Sequence, residues 1–328
     1  MSTLHTAPLI RKLGRAPSIR PEEHTLPHHR PRIALVTAEP DPELPADQDM
    51  PLLLEAVHQA GAEAMAVCWD DADADWAAFD LAVIRSARDY PARISEFLDW
   101  ADRCAALTRL ANDPAVLRWN ADKRYLRDLA QLGIPVVDTH YVEPPNPDAA
   151  TALPPSGEFV IKPAIGNGSR LAARYDAHDH EQALHHLNQL LAAGTTALIQ
   201  PYVHRVDTTG EHSLAYAGGR LLHATQKDAV LTAGSSFTQP KVPHPGLTTC
   251  TPSPRETAVA EQALAAVPGS TTLLYARVDL VEGEDGRPLL MELELIEPNL
   301  FLTLRRTSLP RLGAVLVRAA RDASSHRT

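Results

Sequence analysis

The sequence predicts a mixed α/β protein of three units, α/β at its start and α+β in the two units that follow, and three observations carry that reading. Between residues 32 and 110, short runs that are apolar throughout alternate with helix-spaced segments, the pattern of a parallel sheet covered on both faces. Residues 111–200 hold a helical stretch, a Pro-rich connector and a new set of short strands. Residues 201–328 hold paired strands, a helix, a charged hairpin and a terminal helix.

Residues 1–31 are rich in Pro and His and have no apolar face to bury, so they read as a disordered tail. His24, His28 and His29 in that tail read as solvent-exposed rather than metal-binding. From there Ile33–Val36 predicts a strand, Met50–Ala60 a helix stopped by Gly61, and Ala64–Cys68 and Leu81–Ile84 two further strands. No G-x-G-x-x-G follows the first strand, which removes the main reason to expect a dinucleotide site there. Trp119–Leu132 reads as one helix, with Asn120 as its N-cap, Lys123 in its first turn and Gly133 as its stop. Then come the strand Glu158–Lys162, a glycine-containing loop Pro163–Arg170, a helix over about 179–192 and the strand Ala197–Gln200. Paired strands near 212–217 and 220–226, a helix over 254–266, two hairpin strands and a last helix complete the chain.

Composition narrows the function. The 328 residues carry 31 Lys+Arg against 41 Asp+Glu, a formal charge of −10, which argues against broad nucleic-acid binding. No run approaches the ~20 apolar residues of a membrane helix, and the N-terminus lacks the apolar core of a secretory signal, so no membrane partner and a cytoplasmic location are expected. Cys68, Cys104 and Cys250 are far apart and form no CxxC, which suits a reducing compartment and structural roles. The expected partner is a small molecule; a homodimer is compatible with the sequence, which carries no interface signature for one.

The chemistry concentrates in Tyr275–Leu295. Asp285-Gly286 predicts a two-residue hairpin turn, and folding the chain about it sets Asp279 opposite Glu292 and Arg277 opposite Glu294. Alternation then puts those four on one face and Val278, Leu280, Leu293 and Leu295 on the other. Three carboxylates so close repel unless cations sit among them; Arg277 neutralises one, and a hard ion such as Mg²⁺ suits the rest. Lys123, together with Lys162 just before Gly166-Asn167-Gly168-Ser169, describes a place for a polyphosphate. Arg85 ends a strand where open α/β sheets bind ligands, so Arg85 for a carboxylate and Asp89 for an ammonium would suit an amino-acid-like substrate. P-loop, protein-kinase, G-x-S-x-G and HExxH signatures are absent from the sequence.

These residues, with the phrases Leu117-Arg-Trp-Asn-Ala-Asp-Lys-Arg-Tyr-Leu, Ile84-Arg-Ser-Ala-Arg-Asp-Tyr and Met291-Glu-Leu-Glu-Leu-Ile-Glu-Pro-Asn-Leu-Phe-Leu, resemble the ATP-grasp superfamily of carboxylate–amine ligases, which includes RimK-like enzymes and glutathione synthetase. Within it they look most like the branch of the O-ureido-serine cyclo-ligase of D-cycloserine biosynthesis. The resemblance spans roughly residues 32–320 and implies the ATP-grasp fold, with ATP and Mg²⁺ as cofactors. It implies that Lys123 and Lys162 hold phosphates and that Gly166, Gly168 and Ser169 belong to a mobile loop closing over them. Gln200, Tyr202 and Val203 would take the adenine and Asp207 the ribose. Lys227 and Arg277 would act at the transferring phosphoryl group, Asp279, Glu292 and Glu294 would bind metal, and Glu297 and Asn299 would lie nearer the acceptor. One departure stands out: the family's Glu-x-Asn reads Glu292-Leu-Glu294 here. The implied activity is ATP-dependent ligation through an acyl phosphate on a small amino-acid-like substrate, with ring closure within one molecule as one form of it. The alternatives are an ATP-binding protein without catalysis and a kinase without ligation. Arg277→Ala is expected to keep nucleotide binding and lose turnover.

Overall fold

The protein is described as a computed structural model covering residues 30–41, 45–146, 148–239, 246–269 and 273–325. His24, His28, His29 and most of the expected tail lie outside the described residues. In the first unit, β1 (Arg32–Thr37), α1 (Asp49–Gln59), β2 (Glu63–Cys68), β3 (Leu81–Ser86), α2 (Ile94–Leu107) and β4 (Arg109–Ala111) build a four-stranded sheet in the order β2-β1-β3-β4. Every pairing in it is parallel. The strands β1 and β3 are apolar on both faces because they lie between neighbours and under helices, as expected from their unbroken apolar runs. Gly61, just past α1, takes φ +92°, the left-handed conformation its position at the helix end requires.

The helix expected over Trp119–Leu132 is two helices, α3 (Pro114–Asn120) and α4 (Tyr125–Gln131). Asn120 is the last residue of α3, and its amide is drawn sideways, donating to Leu293 O at 2.9 Å and accepting from Leu295 N at 2.9 Å. The Lys123 backbone N–H meanwhile bonds Ala164 O at 2.9 Å, so the chain leaves the helical path between the two. Lys123 therefore sits in the connecting turn.

The second unit is an antiparallel sheet of β5 (His140–Val142), β6 (Glu158–Pro163), β7 (Ala173–Asp176) and β8 (Ala197–Pro201), in the order β5-β8-β6-β7, with α5 (His180–Ala192) on one face. The third holds a short α6 (Val206–Thr209), then β9 (Glu211–Ala217), β10 (Arg220–Lys227), β11 (Thr248–Cys250), α7 (Pro254–Ala265), β12 (Tyr275–Glu282), β13 (Pro288–Glu294) and α8 (Leu309–Ser325). Its sheet runs β11-β10-β9-β12-β13, all antiparallel. The helix α7 starts with a capping box, Ser253 accepting from Glu256 N while Glu256 accepts from Ser253 N.

Two features tie the units together. The helix α8, which the sequence groups with the third unit, completes the core of the first: Leu312, Leu316, Val317 and Ala320 share one cluster with Ile33, Leu35, Leu53 and Val57. The edge of β13, which would otherwise expose a row of backbone donors and acceptors, is covered by the Pro135–Val137 backbone at Leu290 and by side chains beyond it. Beside Asn120, Tyr125 Oη accepts from Leu293 N at 2.8 Å, and Asn112 Nδ2 donates to Leu295 O at 2.9 Å and to Tyr275 O at 3.0 Å. Among the described residues, no helix is long and apolar enough to cross a membrane.

Candidate active site

The β12–β13 hairpin sets the acidic face in the expected register, Arg277 opposite Glu294 and Asp279 opposite Glu292, with Val278, Leu280, Leu293 and Leu295 buried beneath. The turn itself differs from the expectation. Gly283 N bonds Arg287 O and Gly286 N bonds Gly283 O, each at 2.8 Å, so three residues span the loop and Gly286 takes φ +75°. A bulge between Asp279 and Leu280, opposite Met291, restores the alignment that the longer loop would have shifted by one.

Around this face stand four cations and four carboxylates. Arg277 holds Asp279 in a two-pronged contact, Nε to Oδ1 at 2.9 Å and Nη2 to Oδ2 at 2.7 Å, and also pairs with Glu294. Ser213, opposite Asp279 on β9, donates to its Oδ1 at 2.6 Å. Lys227, the last residue of β10, pairs with Glu211 and reaches Asp279 Oδ2 at 3.4 Å. Lys123 reaches Glu292 at 3.1 Å and donates to Gly166 O. Lys162 is different: no ion pair or hydrogen bond of its ammonium is found among the described residues.

Electrostatics follow from this crowding. Burial works against the Asp279 charge, yet Arg277 and Lys227 outweigh it and hold the carboxyl well below the usual range. Burial pushes Glu294 up to about 7 against the pull of Arg277, with Asp279 and Glu292 adding repulsion. Burial lowers the Lys162 ammonium; Glu292 opposes the shift and neighbouring Lys123 adds to it. Burial likewise disfavours the charge on Lys227, but Asp279 and Glu211 overcome it and raise its pKa.

Beside the charged face lies an apolar patch of Val137, Val160, Tyr202, Val206 and Val281, edged by Met291, whose flat surfaces suit a purine. Gln200 is buried and its orientation is fixed: the Thr139 hydroxyl donates to Val137 O at 2.7 Å, so it must accept from Gln200 Nε2, at 2.9 Å, which turns the Gln200 carbonyl oxygen away for another donor. The Tyr202 N–H is taken by Glu158 O at 2.9 Å, which leaves Val203 as the backbone donor of that pair. Asp207, the expected ribose ligand, accepts from the Tyr202 hydroxyl at 2.5 Å and lies 3.5 Å from Arg174. The carboxylate that does join the lysines at this end is Glu211, which the sequence reading missed. Its pairing with Lys227 depends on a bulge between Leu221 and His223.

On the acceptor side Arg85 is 3% exposed and donates to Pro298 O at 3.0 Å. Asp89 does not join it; it accepts from Trp69 Nε1 at 2.9 Å and pairs with Arg93 at 3.2 Å. The carboxylate that shares Arg85's surroundings is Asp49, also 3% exposed, whose raised pKa reflects burial partly offset by Arg85. Asn299 accepts from Arg277 Nη1 through its backbone oxygen at 3.1 Å, while its side-chain oxygen holds Phe301 N at 2.9 Å. Glu297 meets Asn167 of the glycine loop.

Among the described residues, no three His, Cys, Asp or Glu side chains converge as a finished metal cage. The donor chemistry fits magnesium at two of the three expected ligands: Glu292 and Glu294 have side chains 25% and 26% exposed, and one or two carboxylates joined by phosphate oxygens are what magnesium takes. Asp279 is committed instead to Arg277, Lys227 and Ser213.

The three-unit architecture that carries this ring of lysines, arginine and carboxylates is the ATP-grasp fold. A sequence profile of the N-terminal domain of D-cycloserine synthetase DcsG matches residues 33–112. The cycloserine biosynthesis protein DcsG of Streptomyces lavendulae is 38% identical over 283 residues, covering 83% of this chain and 94% of that protein. The chain belongs to the DcsG family. A crystal structure of D-cycloserine synthetase DcsG superposes with a TM-score of 0.80 at 37% identity, over 88% of this chain and 99% of that one. A D-alanine–D-alanine ligase of Bacillus anthracis, solved with ATP, shares the fold at TM-score 0.62 and 14% identity, over 92% of this chain and 100% of that one.

Proposed function

We propose that this chain is an ATP-dependent carboxylate–amine ligase that closes the ring of D-cycloserine through an acyl phosphate. The observation that carries the reading is the interleaving of Lys123, Lys162, Lys227 and Arg277 with four carboxylates on one sheet face. Lys162, whose ammonium makes no ion pair among the described residues, is supplied with an anionic partner by a triphosphate. The purine would lie on the Val160–Met291 patch, with the Gln200 carbonyl oxygen accepting from an exocyclic amine.

A carboxylate resists nucleophiles because its charge repels them and oxide is a hopeless leaving group. In the proposed reaction a substrate carboxylate oxygen attacks the γ-phosphorus, the bond to the bridging oxygen breaks, and ADP leaves. Lys123, Lys162 and Lys227 offset charge along the phosphates. Arg277, oriented by Asp279 and Glu294, stands where charge develops on the transferring group. A nitrogen then attacks the acyl carbon, the C–O bond to phosphate breaks, and the nitrogen loses a proton; with a ureido nitrogen as the nucleophile, water then cleaves the carbamoyl group from the ring nitrogen, and that group leaves as CO2 and ammonia. Magnesium held by Glu292 and Glu294 would neutralise phosphate charge. Arg85 and Asp49 suit the acceptor's polar groups, with Glu297 close by.

The test is incubation with O-ureido-D-serine, ATP and Mg²⁺, following phosphate release and identifying the product by mass. D-cycloserine with phosphate in solution supports the reading. A phosphorylated product would make the protein a kinase, and ATP binding without turnover would make it a non-catalytic binder.

A further inference from the structure

One side chain of the glycine loop touches both the unit before it and the unit after it. Asn167 donates through Nδ2 to Arg88 O at 3.1 Å, in the first unit just past β3, and to the Glu297 carboxyl, in the third unit just past β13. The loop it belongs to is bent into conformations that side-chain-bearing residues avoid: Gly168, Ser169 and Leu171 have φ +60°, +57° and +54°. Such a backbone persists only when contacts hold it. Those contacts are Lys123 on Gly166 O, His186 Nε2 to Leu171 O at 3.1 Å, Arg170 Nη2 to Arg88 O at 3.5 Å, and Asn167. Of these, Arg170 and Asn167 reach the first unit, and Asn167 alone joins it to Glu297 in the third. Burial pushes Glu297 up to about 8, and its bond from Asn167 opposes that shift.

We propose that Asn167 is a positioning residue that couples closure of the Ile165–Leu171 loop to product formation, by fastening the loop to the Arg88 carbonyl and the Glu297 carboxyl so that water is kept from the activated acyl group. This rests on the ligase reading. Without the fastening, water adds to the acyl carbon, the C–O bond to phosphate breaks with its electron pair going to phosphate, and the carboxylate is regenerated with release of a proton. ATP is then converted to ADP and phosphate with no C–N bond formed.

The measurement is the number of D-cycloserine molecules formed per phosphate released from O-ureido-D-serine, ATP and Mg²⁺. Asn167→Asp keeps the size but turns an oxygen towards two oxygen acceptors, and Asn167→Ala removes the donors without adding charge. Both are expected to lower the ratio at least about three-fold while the KM for ATP stays within about two-fold. A second readout needs no turnover: trypsin cleavage after Arg170 should be suppressed in the unmodified protein by ADP, Mg²⁺ and D-cycloserine, and not in the two variants. An unchanged ratio with unchanged protection in both variants overturns the inference and leaves the ligase reading standing. Failure of the unmodified protein to form D-cycloserine overturns both.

Discussion

Arg277 is at once the proposed catalytic cation and a structural partner of a buried carboxylate, so its removal has two effects. It is 4% exposed and forks onto Asp279, itself 2% exposed, so Arg277→Ala leaves that buried carboxylate only Lys227 and Ser213 and is expected to cost about 3 kcal/mol of stability as well as turnover. Arg277→Lys keeps a charge and loses the fork; kcat is expected to fall about a hundred-fold with nucleotide affinity nearly unchanged, read by steady-state rates and calorimetric binding. A second pair makes a pH prediction. His212 Nδ1 lies 2.5 Å from Glu256 Oε1; hydrogen bonding to Glu256 raises the His212 pKa, and Glu256 is lowered to about 2 because bonds to His212 and Ser253 outweigh burial. The His212 contribution is present below its unfolded value of 6.5 and fades as pH rises through the raised one. The Glu256 contribution is present above 4.5 and fades as pH falls towards 2. His212→Asn should therefore lower stability by about 1 kcal/mol between these limits and by progressively less in alkali, measured by denaturant unfolding at several pH values. Residue types were legible in the sequence because phosphate and magnesium chemistry limits which side chains serve. The partners of Asp207, Asp89 and Asn299 were not, since they are set by hydrogen bonds to Tyr202 and Phe301 nearby and to Trp69 across the fold.

At the scale of elements, period and turn signals located β1, α1, β3, β6, α5, β9, β10, α7 and the β12–β13 hairpin within a few residues. The hairpin register was recovered because two departures cancel, a three-residue loop and a bulge opposite Met291. No such cancellation occurs between β9 and β10, where one bulge moves Lys227 opposite Glu211, and symmetric folding about Gly218-Gly219 misses the pair. The break between α3 and α4 was hidden for another reason: helical spacing continues across it, and only the tertiary bonds of Asn120 and of the Lys123 N–H stop the helix. Asn120→Ala removes two of the partners of the β13 edge and leaves buried backbone groups short. A loss of about 1–3 kcal/mol is expected in chemical denaturation, together with a weaker ATP affinity because Lys123 follows three residues later.

Across the whole molecule, the three units were legible but their packing was not, because a helix carries no label for the sheet it will cover. The sequence marks α8 only as a terminal helix; it approaches the first unit closely at Gly313 against α1, where an added Cβ would lie 2.6 Å from Ala56 O. Elsewhere in a helix Gly→Ala gains about 1 kcal/mol, so the sign here is diagnostic. Gly313→Ala should instead destabilise by about 1–3 kcal/mol, seen as a lower midpoint in thermal unfolding. The same embrace has a consequence for how the protein is made. While a ribosome is still adding residues, β1 and β3 emerge with one greasy surface and no lid for it, and they wait until the final helix clears the exit tunnel. A message cut short just before Leu309 would therefore yield a chain whose earliest segment is the one that aggregates.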